Sequence, residues 1–493
     1  SGRTADLVEL DLAGELRVRG TGTSEVIFTV DSGLGDALWY GVTMRAGASV
    51  DAENLDMSQA VIALGGPVTR EGGLRFTDGS IRRCVVGMRV NVEAEVAVER
   101  STFTVISNEG IRAEGGGLLR VVDSEFRGNG MEGISLGDCS LEAIDIRLEQ
   151  NGQLSDVGEE PSSGLRAEGG RGQRIDLWNS TATRNSLHGL ELDNWMGRVE
   201  IHGSELSANQ SQGLVVDGAE LLVLEDVRIE RNLSAGATVK DALAEVWTTT
   251  FADNLGVGLV LREGARVIIE MSHFLNNDGL LLSGAGDIAI RTSVFENARV
   301  GLESIDSSPS IVLSRFQNNL TGIRVQGARS PSEIRDNTFL ENSVAIQNLS
   351  GRELAATGNY WGTADSTAIA ALFEGEVDWT PFLASEPIAT AVEVVRAAAP
   401  KSYALYRNYP NPFNADTVIP FDLAEEAEVQ LVVYDVLGRR ARSLVAGWRM
   451  APGHHTVTWD GRGDDGKTAA SGSYFYRLQA GEFSAWGRML LIR

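Results

Sequence analysis

An apolar residue followed three positions later by asparagine recurs about every 21 to 24 residues along the middle of the chain. Short apolar runs alternate with polar positions around each pair, and Gly, Asn, Ser and Asp punctuate them. The period of the apolar positions is two and no 3.6-residue pattern competes, so we predict strands. The pairs are Phe126/Asn129, Leu148/Asn151, Ala182/Asn185, Leu206/Asn209, Ile229/Asn232, Phe251/Asn254, Phe274/Asn277, Phe316/Asn319 and Phe339/Asn342.

Glycine and an apolar residue follow most of these pairs, as in Gly110-Ile111 and Gly213-Leu214. A fixed period of this size is typical of a solenoid. Roughly 22 residues hold three strands of about 4–5 residues with their turns, which is the size of one coil of a parallel β-helix. Equivalent side chains would then stack about 4.8 Å apart on neighbouring coils and form a continuous core.

The regular asparagines are interpreted as a structural ladder. An inward-turned Asn at a bend can donate to and accept from neighbouring coils, and Asn tolerates the left-handed backbone that tight bends demand. The glycine row is likewise interpreted as turn geometry. Cys84 falls in the asparagine position and Cys139 in a turn two coils later, so we expect no disulfide between them.

The repeats resemble the right-handed parallel β-helix of the pectate-lyase-like superfamily over roughly residues 25–383. Segments 26–29 and 39–42 resemble an early coil of such domains. The resemblance implies an all-β fold in which residues 1–383 form the β-helix, at about 22–24 residues per coil.

The last part of this region, residues 358–383, resembles the closing segment of such domains. Within it, an Ala/Leu-rich stretch follows the N-cap candidates Thr363, Asp365 and Ser366. This pattern predicts a short helix between residues 363 and 374 that covers the exposed end of the apolar column.

A second domain is predicted after an Ala-rich linker at 384–401. Several short alternating strands separated by turn signals within about 90 residues indicate a β-sandwich over 402–493. This part resembles the Ig-like C-terminal domain shared by flagellar hook-capping proteins and type IX (Por) secretion sorting domains. The matching segments are Asn408-Tyr409-Pro410-Asn411-Pro412-Phe413-Asn414, Val433-Tyr434-Asp435, Trp459-Asp460-Gly461, Ser471-Gly472-Ser473-Tyr474 and 488–493.

The second resemblance implies an address read by secretion machinery at the outer membrane, and therefore an extracellular or outer-membrane surface location. A plain β-sandwich accessory domain without a secretion role is the alternative. The chain has no run of about 18 apolar residues, so no transmembrane segment is expected.

The charge balance limits the partners. The chain has 43 basic and 68 acidic residues and a net charge of −25, and residues 402–493 carry ten of each sign. The excess of negative charge therefore belongs to the β-helix and linker. Such a surface repels nucleic acid and anionic lipid, so neither is expected as a partner.

Aligning the coils gives one outward column of charged residues: Glu168, Asp193, Asp217, Lys240 and Arg262. Three carboxylates about 5 Å apart could share a cation, with Ca²⁺ as the candidate ion. Lys240 and Arg262 lie directly beyond them, and carboxylate-bound Ca²⁺ beside a Lys or Arg base is how β-helix polysaccharide lyases commonly work. Chance pairing of opposite charges on an acidic surface is the alternative explanation.

A second outward column contains Trp178, His202, Glu225, Trp247, Glu270 and Arg291. Indoles three coils apart, roughly 14 Å, could stack on sugar rings, or they could pack under loops. Trp195, beside the first column, could line a groove near the one long insertion, 152–163. His188 and His202 look isolated, and no Ser-His-Asp, zinc or phosphate-loop spacing is present.

These features favour a secreted or cell-surface bacterial protein that acts as a passive binding or adhesive surface, with polysaccharide or a cell-surface glycan as the expected partner. A polysaccharide lyase or glycoside hydrolase acting on acidic polysaccharide is the competing interpretation. A structural spacer within a larger surface polypeptide is the third.

Overall fold

The computed structural model describes residues 9–21, 25–30, 37–152 and 161–387 and most of 403–492. Within the last range the description omits residues 406–407, 409–412, 415–416, 426, 437, 451–452, 465–466 and 482. The chain divides into two compact units, Ser1–Ala389 and Thr390–Arg493. The predicted linker lies outside the described residues from 388 to 401.

The first unit is a parallel β-helix in which three rows of short strands repeat along one axis, and each strand pairs in parallel with its equivalent on the next coil. The first-row strands are Glu9–Leu12, Gly41–Met44, Ile62–Val68, Val86–Val92, Ile111–Glu114, Ile134–Gly137, Leu165–Glu168, Leu190–Asp193, Val257–Leu261, Asp278–Ser283, Val300–Ile305, Thr321–Gln326, Val344–Asn348 and Phe373–Glu374.

The second-row strands follow after a turn. They are Glu15–Arg19, Ser49–Glu53, Gly73–Thr77, Glu95–Glu99, Leu118–Val122, Ser140–Ile144, Arg174–Trp178, Arg198–His202, Arg266–Glu270, Ile288–Arg291, Ser310–Val312 and Glu333–Arg335. Two long strands, Leu214–Glu225 and Ala237–Trp247, run through both rows and join them into one 28-stranded sheet.

The third row forms a separate 14-stranded sheet. Its strands are Val26–Phe28, Leu55–Ser58, Ser80–Arg82, Thr102–Thr104, Glu125–Arg127, Arg147–Glu149, Thr181–Thr183, Glu205–Ser207, Arg228–Glu230, Thr250–Ala252, His273–Leu275, Val294–Glu296, Arg315–Gln317 and Thr338–Leu340.

The central residue of every third-row strand from Ser80–Arg82 to Thr338–Leu340 fills the core, which confirms the predicted stacking of like side chains. Five phenylalanines, from Phe251 to Phe339, stack one above the other with ring centroids 4.7 to 5.0 Å apart. Trp361 continues this stack beyond Phe339 at 4.6 Å. The spacing is that of hydrogen-bonded strands, so the rings stack because the backbone places them one strand apart.

The predicted asparagine ladder is present. The side chains of Asn129, Asn151, Asn185, Asn209, Asn232 and Asn254 are joined by amide-to-carbonyl hydrogen bonds of 2.9 to 3.1 Å. The left-handed backbone expected of these residues belongs instead to the preceding residue, for example Gln150 at φ 56° and Arg184 at φ 56°. The chain makes its bend there, which leaves each ladder asparagine free to point inward.

A second ladder, at the turn between the second and third rows, was not identified from the sequence. Ser124 Oγ accepts the backbone N–H of Ser101 at 3.0 Å, and Ser293 Oγ accepts that of Ser272 at 3.2 Å. Each serine thus satisfies a buried backbone donor of the preceding coil. Small polar residues such as serine are common in loops. The recurrence of serine at this repeat position therefore did not distinguish a ladder from ordinary loop composition.

The glycine row does not serve turn geometry as expected. These glycines lie outside the positive-φ region. A Cβ on Gly110 would lie 2.5 Å from Gly133 O, and one on Gly189 would lie 2.5 Å from Gly213 O. The row consists of glycine because successive coils approach too closely at this corner to accommodate a side chain.

Both cysteines are free and buried. Cys84 Sγ takes the asparagine position and accepts the backbone N–H of Ala60 at 3.5 Å. Burial raises the pKa of both thiols to about 11. They are therefore core residues in their reduced form.

The C-terminal end of the core is closed as the sequence predicted. A short helix, Ser366–Ala370, begins after the N-cap Asp365, whose side chain accepts the backbone N–H groups of Thr367 and Ala368. The helix buries Ile369 against the core. Beyond it, Val377–Asp378 pairs with Leu354–Ala355.

The second unit consists of two antiparallel sheets with their own core, consistent with an Ig-like fold. One sheet contains Ala404–Leu405, Thr417–Leu423 and Gly453–Trp459. The other has the order Arg440–Met450, Ala427–Asp435, Gly472–Ala480 and Phe483–Leu491.

Candidate functional site

The first predicted column runs along the ends of the first-row strands. Glu168 and Asp193 are register partners, as are Asp217 and Lys240, and the strand that ends just before Arg262 pairs with the strand of Lys240. The five side chains therefore do follow one another on successive coils, at the outer surface.

Each carboxylate of this column has a cationic partner. Arg166 Nη2 lies 2.7 Å from Glu168 Oε1 and 3.5 Å from Asp193 Oδ2, while Lys240 Nζ lies 3.0 and 3.1 Å from the two oxygens of Asp217. In the part of the chain that the structure describes, no group of three or more His, Cys, Asp or Glu side chains is arranged to hold a metal ion. Calcium binding here stays a prediction, and the ion would have to displace both cations.

The expectation that Trp195 lines an outward groove is wrong. Its indole is fully buried in the solenoid core, where a Cβ on Gly170 would lie 2.4 Å from the ring. The indole fills the space that the missing side chain of Gly170 leaves. The side chain of Trp195 therefore points into the core, although Asp193, two residues earlier, lies on the outer surface. Most of the insertion expected beside it, residues 153–160, lies outside the described residues.

The second predicted column is in register throughout. We call the outward side of these second-row strands, from Ser140–Ile144 to Ile288–Arg291, the tryptophan face. Its column of register partners consists of Trp178, His202, Glu225, Trp247, Glu270 and Arg291.

Trp178 presents the edge of its indole to the outside. Its ring stacks on the imidazole of His202, with centroids 3.8 Å apart and planes inclined by 7°. Ile144 is its register partner on the preceding coil. Because the imidazole of His202 covers one face of the indole, that face is not available to stack on a sugar ring.

Trp247 is the second indole of the tryptophan face. It is half-buried, and its Nε1 donates to Glu245 Oε2 at 3.4 Å. Its register partners Glu225 and Glu270 place a carboxylate on each side. Leu243, on the same strand, is exposed and extends the apolar surface.

His202 is part of a cluster rather than isolated. Its Nδ1 lies 2.9 Å from Glu225 Oε2, and its Nε2 lies 3.7 Å from Glu200 Oε2. Burial disfavours the charged imidazole, but the carboxylates of Glu200 and Glu225 outweigh burial and raise the pKa of His202. Burial likewise opposes ionisation of Glu200, yet the neighbouring imidazole of His202 lowers the pKa of this carboxyl.

Asp176 lies between Glu142 and Glu200 in the adjacent register column. Burial raises the pKa of Asp176 to about 6; Arg174 opposes this shift, and the charges of Glu200 and Glu142 add to it. The pKa values of these two carboxyls on neighbouring coils are therefore shifted in opposite directions, because Glu200 has an imidazole partner and Asp176 lies between two acids.

We expect Asp176→Asn to stabilise the protein at neutral pH. The folded-state pKa of about 6 exceeds the ordinary value of 3.8, so the carboxyl contributes stability below the ordinary value and loses that contribution as the pH rises through the folded value. The variant should therefore gain more in Tm at about pH 7.5 than at about pH 4, measured by thermal unfolding with circular dichroism.

The matched control for this prediction is Glu200→Gln on the next coil. Its pKa is lowered, so neutralising it should reduce the Tm at neutral pH. A lower or unchanged Tm of Asp176→Asn at neutral pH would show that Asp176 is stabilised by Arg174 more than it is penalised by burial.

The structure also assembles a polar cluster that the sequence analysis missed. The residues before the repeat glycine on four successive coils are Glu109, Glu132, Ser163 and His188. Glu109 and Glu132 are buried, Glu109 Oε2 has no hydrogen-bond partner, and Ser163 Oγ donates to Glu191 Oε2 at 2.8 Å. Burial raises the pKa of Glu132, and Glu109 adds to the shift. The recurrence of polar residues directly before the repeat glycine is the sequence signal that could have identified this cluster.

Comparison with known proteins agrees with this architecture. The family described as right handed beta helix region matches residues 72–236, 151–295 and 188–360, which together span more than half of the chain. The chain therefore belongs to the right-handed β-helix family. The FlgD Ig-like domain matches residues 411–482, so the chain carries this domain at its C-terminal end. No curated protein sequence matches the chain.

Several solved structures are similar to parts of the chain. PorZ, a surface component of the type-IX secretion system of Porphyromonas gingivalis, is 24% identical over 18% of this chain and 12% of its own, with a TM-score of 0.14. The periplasmic alginate epimerase AlgG is 10% identical over 69% of this chain and 76% of its own, with a TM-score of 0.31. The A-module of the mannuronan C-5 epimerase AlgE6 from Azotobacter vinelandii is 13% identical over 71% and 92%, with a TM-score of 0.28.

The chain spans about an eighth of the length of PorZ. TM-scores this low support no inference about substrate or reaction. Within the described residues, no helix has the length and apolar character needed to cross a membrane.

Proposed function

We propose that this protein is an exported, cell-surface glycan-binding protein whose tryptophan face holds a linear sugar chain. The observation that carries the proposal is the position of Trp247, a half-buried indole with Glu225 and Glu270 on either side and Glu245 at hydrogen-bond distance from its Nε1. Apolar rings beside carboxylates suit sugars, whose CH groups pack on the ring and whose hydroxyls donate to the oxygens.

The arrangement of the face favours a linear ligand. Its side chains repeat at the strand spacing of about 4.8 Å, along one axis and over six coils. A polymer lying along this axis can make the same kind of contact on each coil. Several weak contacts on one chain add through effective concentration, so no single deep pocket is needed.

The charge of the face favours a glycan without negative charge. Glu142, Asp176, Glu200, Glu225 and Glu245 all lie on the tryptophan face, on a chain of net charge −25. A polyuronate would meet more carboxylates than cations along this line, because Arg174, Arg198 and Arg291 pair with only some of the acids. A neutral or amino-bearing glycan would instead find hydrogen-bond acceptors.

Export is the second part of the proposal. The FlgD Ig-like match at 411–482, together with the motifs that resemble type IX sorting domains, supports a C-terminal domain recognised by outer-membrane secretion machinery. This role would bring the β-helix to the extracellular or outer-membrane surface, where glycans are available to it.

Titration with a neutral and an amino-bearing glycan tests the binding proposal. We expect the full chain to bind chitin or chitosan oligomers in isothermal calorimetry, and Trp247→Ala to weaken binding about tenfold, as expected for one lost aromatic contact. Glu225→Gln should weaken it in the same direction, because the amide replaces an ionised acceptor.

The controls come from outside the tryptophan face. Met196→Ala removes an exposed apolar side chain, and Glu168→Gln removes an exposed carboxylate from that column; neither should change the affinity. Equal affinity of Trp247→Ala and the unaltered chain would refute the site. Shortening of the glycan during incubation would indicate a glycoside hydrolase instead of a binding surface.

A further inference from the structure

The second unit has an open groove of about 570 Å³ on the outward side of its four-stranded sheet. Tyr434, Phe475, Arg477 and Trp486 line it. Strand alternation explains their exposure, because the residues between them, such as Val433 and Tyr476, fill the core. We call this outward side of the sheet the aromatic face.

The aromatic side chains of this face touch one another. The rings of Tyr434 and Trp486 lie 5.4 Å apart between centroids, and the guanidinium carbon of Arg477 lies 5.5 Å from the centroid of Trp486. Trp486 is nevertheless 58% exposed. The indole is thus held by its neighbours in one orientation while most of its surface faces the solvent.

The charge of the aromatic face is opposite to that of the solenoid. Asp435, at the rim of the groove, is bound by Arg439 through a contact of 2.7 Å. The outward positions of the three strands carry two arginines, Arg477 and Arg488, and one carboxylate, Glu428, which lies at the far end of its strand from Tyr434.

The orientation of Arg477 is fixed in two ways. Its Nε donates to Ser484 Oγ at 3.0 Å, and its guanidinium lies over the indole of Trp486. A guanidinium held in this way loses little conformational freedom when it binds, and its planar donors match both oxygens of a carboxylate.

We propose that the aromatic face binds a carboxylated sugar chain. Trp486 and Tyr434 would pack on the sugar rings, while Arg477 would hold a carboxylate and Arg488 would add positive charge. The groove volume lies within the range of about 300–1,000 Å³ that small-ligand sites occupy. The carboxylated ligand complements this face and is repelled by the tryptophan face, so the two faces select different glycans.

Titration of the full chain with oligogalacturonate tests this site. We expect the full chain to bind oligogalacturonate. A malto-oligosaccharide of the same length, which has no carboxylates, should not bind. Trp486→Ala and Arg477→Gln should each weaken oligogalacturonate binding at least about tenfold. Arg477→Lys should weaken it as well, because lysine keeps the charge but lacks the planar fork.

Two variants keep the test specific. Arg462→Gln makes the same charge change in the same unit at an exposed position outside the groove and should leave the affinity unchanged. Trp247→Ala, which removes the indole of the tryptophan face, should also leave it unchanged, so that the two sites are tested separately.

Three results would overturn the proposal. The first is no measurable binding of oligogalacturonate by the full chain. The second is equal binding by Trp486→Ala and Arg477→Gln, with circular dichroism showing that both variants are folded. The third is equally tight binding of a polyglutamate peptide, which would identify the face as a surface for acidic proteins.

Discussion

Phe295→Ala is expected to lower the free energy of unfolding of the solenoid by about 3–5 kcal/mol. The ring of Phe295 is fully buried and lies 4.7 Å from that of Phe274 and 4.8 Å from that of Phe316. The substitution removes stacking on both sides and leaves a cavity. Neighbouring rings cannot move into it, because each is held in place by the hydrogen bonds of its own coil. Urea unfolding followed by far-ultraviolet circular dichroism measures the loss.

The matched control lies on the same strand. Val294 points outward beside Phe295, and Val294→Ala should cost less than about 1 kcal/mol. Phe295→Leu should fall between the two, because leucine retains most of the apolar volume. Similar losses for Phe295→Ala and Val294→Ala would show that the phenylalanine column does not hold adjacent coils together.

Asn209→Leu is expected to destabilise the solenoid by about 3 kcal/mol or more. The side chain is fully buried, and its Oδ1 accepts from the backbone N and Nδ2 of Asn185 at 3.1 and 3.0 Å. Its Nδ2 donates to Ala182 O and Asn232 Oδ1, both at 3.0 Å. Leucine matches the volume but removes all four hydrogen bonds in a dry interior. Asn185 Nδ2 then keeps only Leu148 O, and Asn232 Oδ1 keeps only the backbone N–H of residue 209, and a buried group that loses its partner costs more than a hydrogen bond contributes.

Asn91→Leu is the control for the ladder. Asn91 is exposed on the outward side of a first-row strand, so the same exchange there should change stability by less than about 0.5 kcal/mol. Urea titrations of both variants, compared with the unaltered chain, separate ladder hydrogen bonds from the general effect of the substitution. A loss below about 1 kcal/mol in Asn209→Leu would indicate that water or backbone movement satisfies the exposed partners.

The repeat period was sufficient to predict the parallel β-helix, the ladder and the register of both outward columns. Side chains at the same repeat position must lie one strand apart once the coils stack, so Glu168 was placed opposite Asp193 and Trp178 opposite His202 without coordinates. The closing helix was predicted from three N-cap candidates, Thr363, Asp365 and Ser366, of which Asp365 is the one that caps it.

Predictions about the use of individual side chains were less successful. The repeat identified the columns but not the inward turn that buries Trp195, which depends on the space left by Gly170 on the preceding coil. It likewise gave no orientation for the ring of Trp178, which lies parallel to the imidazole of His202. A period in the sequence determines the position of the backbone on each coil. Burial and ring orientation depend instead on the space that the side chains of the adjacent coil leave.

By itself the sequence determined the class of fold, the two-part organisation and the alignment of outward residues, because the strand spacing converts a period of about 22 residues directly into neighbours in space. Tertiary structure decided which of those residues reach the solvent and which acids meet a cation. It also decided that Tyr434, Arg477 and Trp486, which are distant in sequence, form one groove. Exposure and ion pairing in the solenoid arise from side-chain packing between coils, and the groove arises from antiparallel strand pairing. No local pattern in the sequence specifies either.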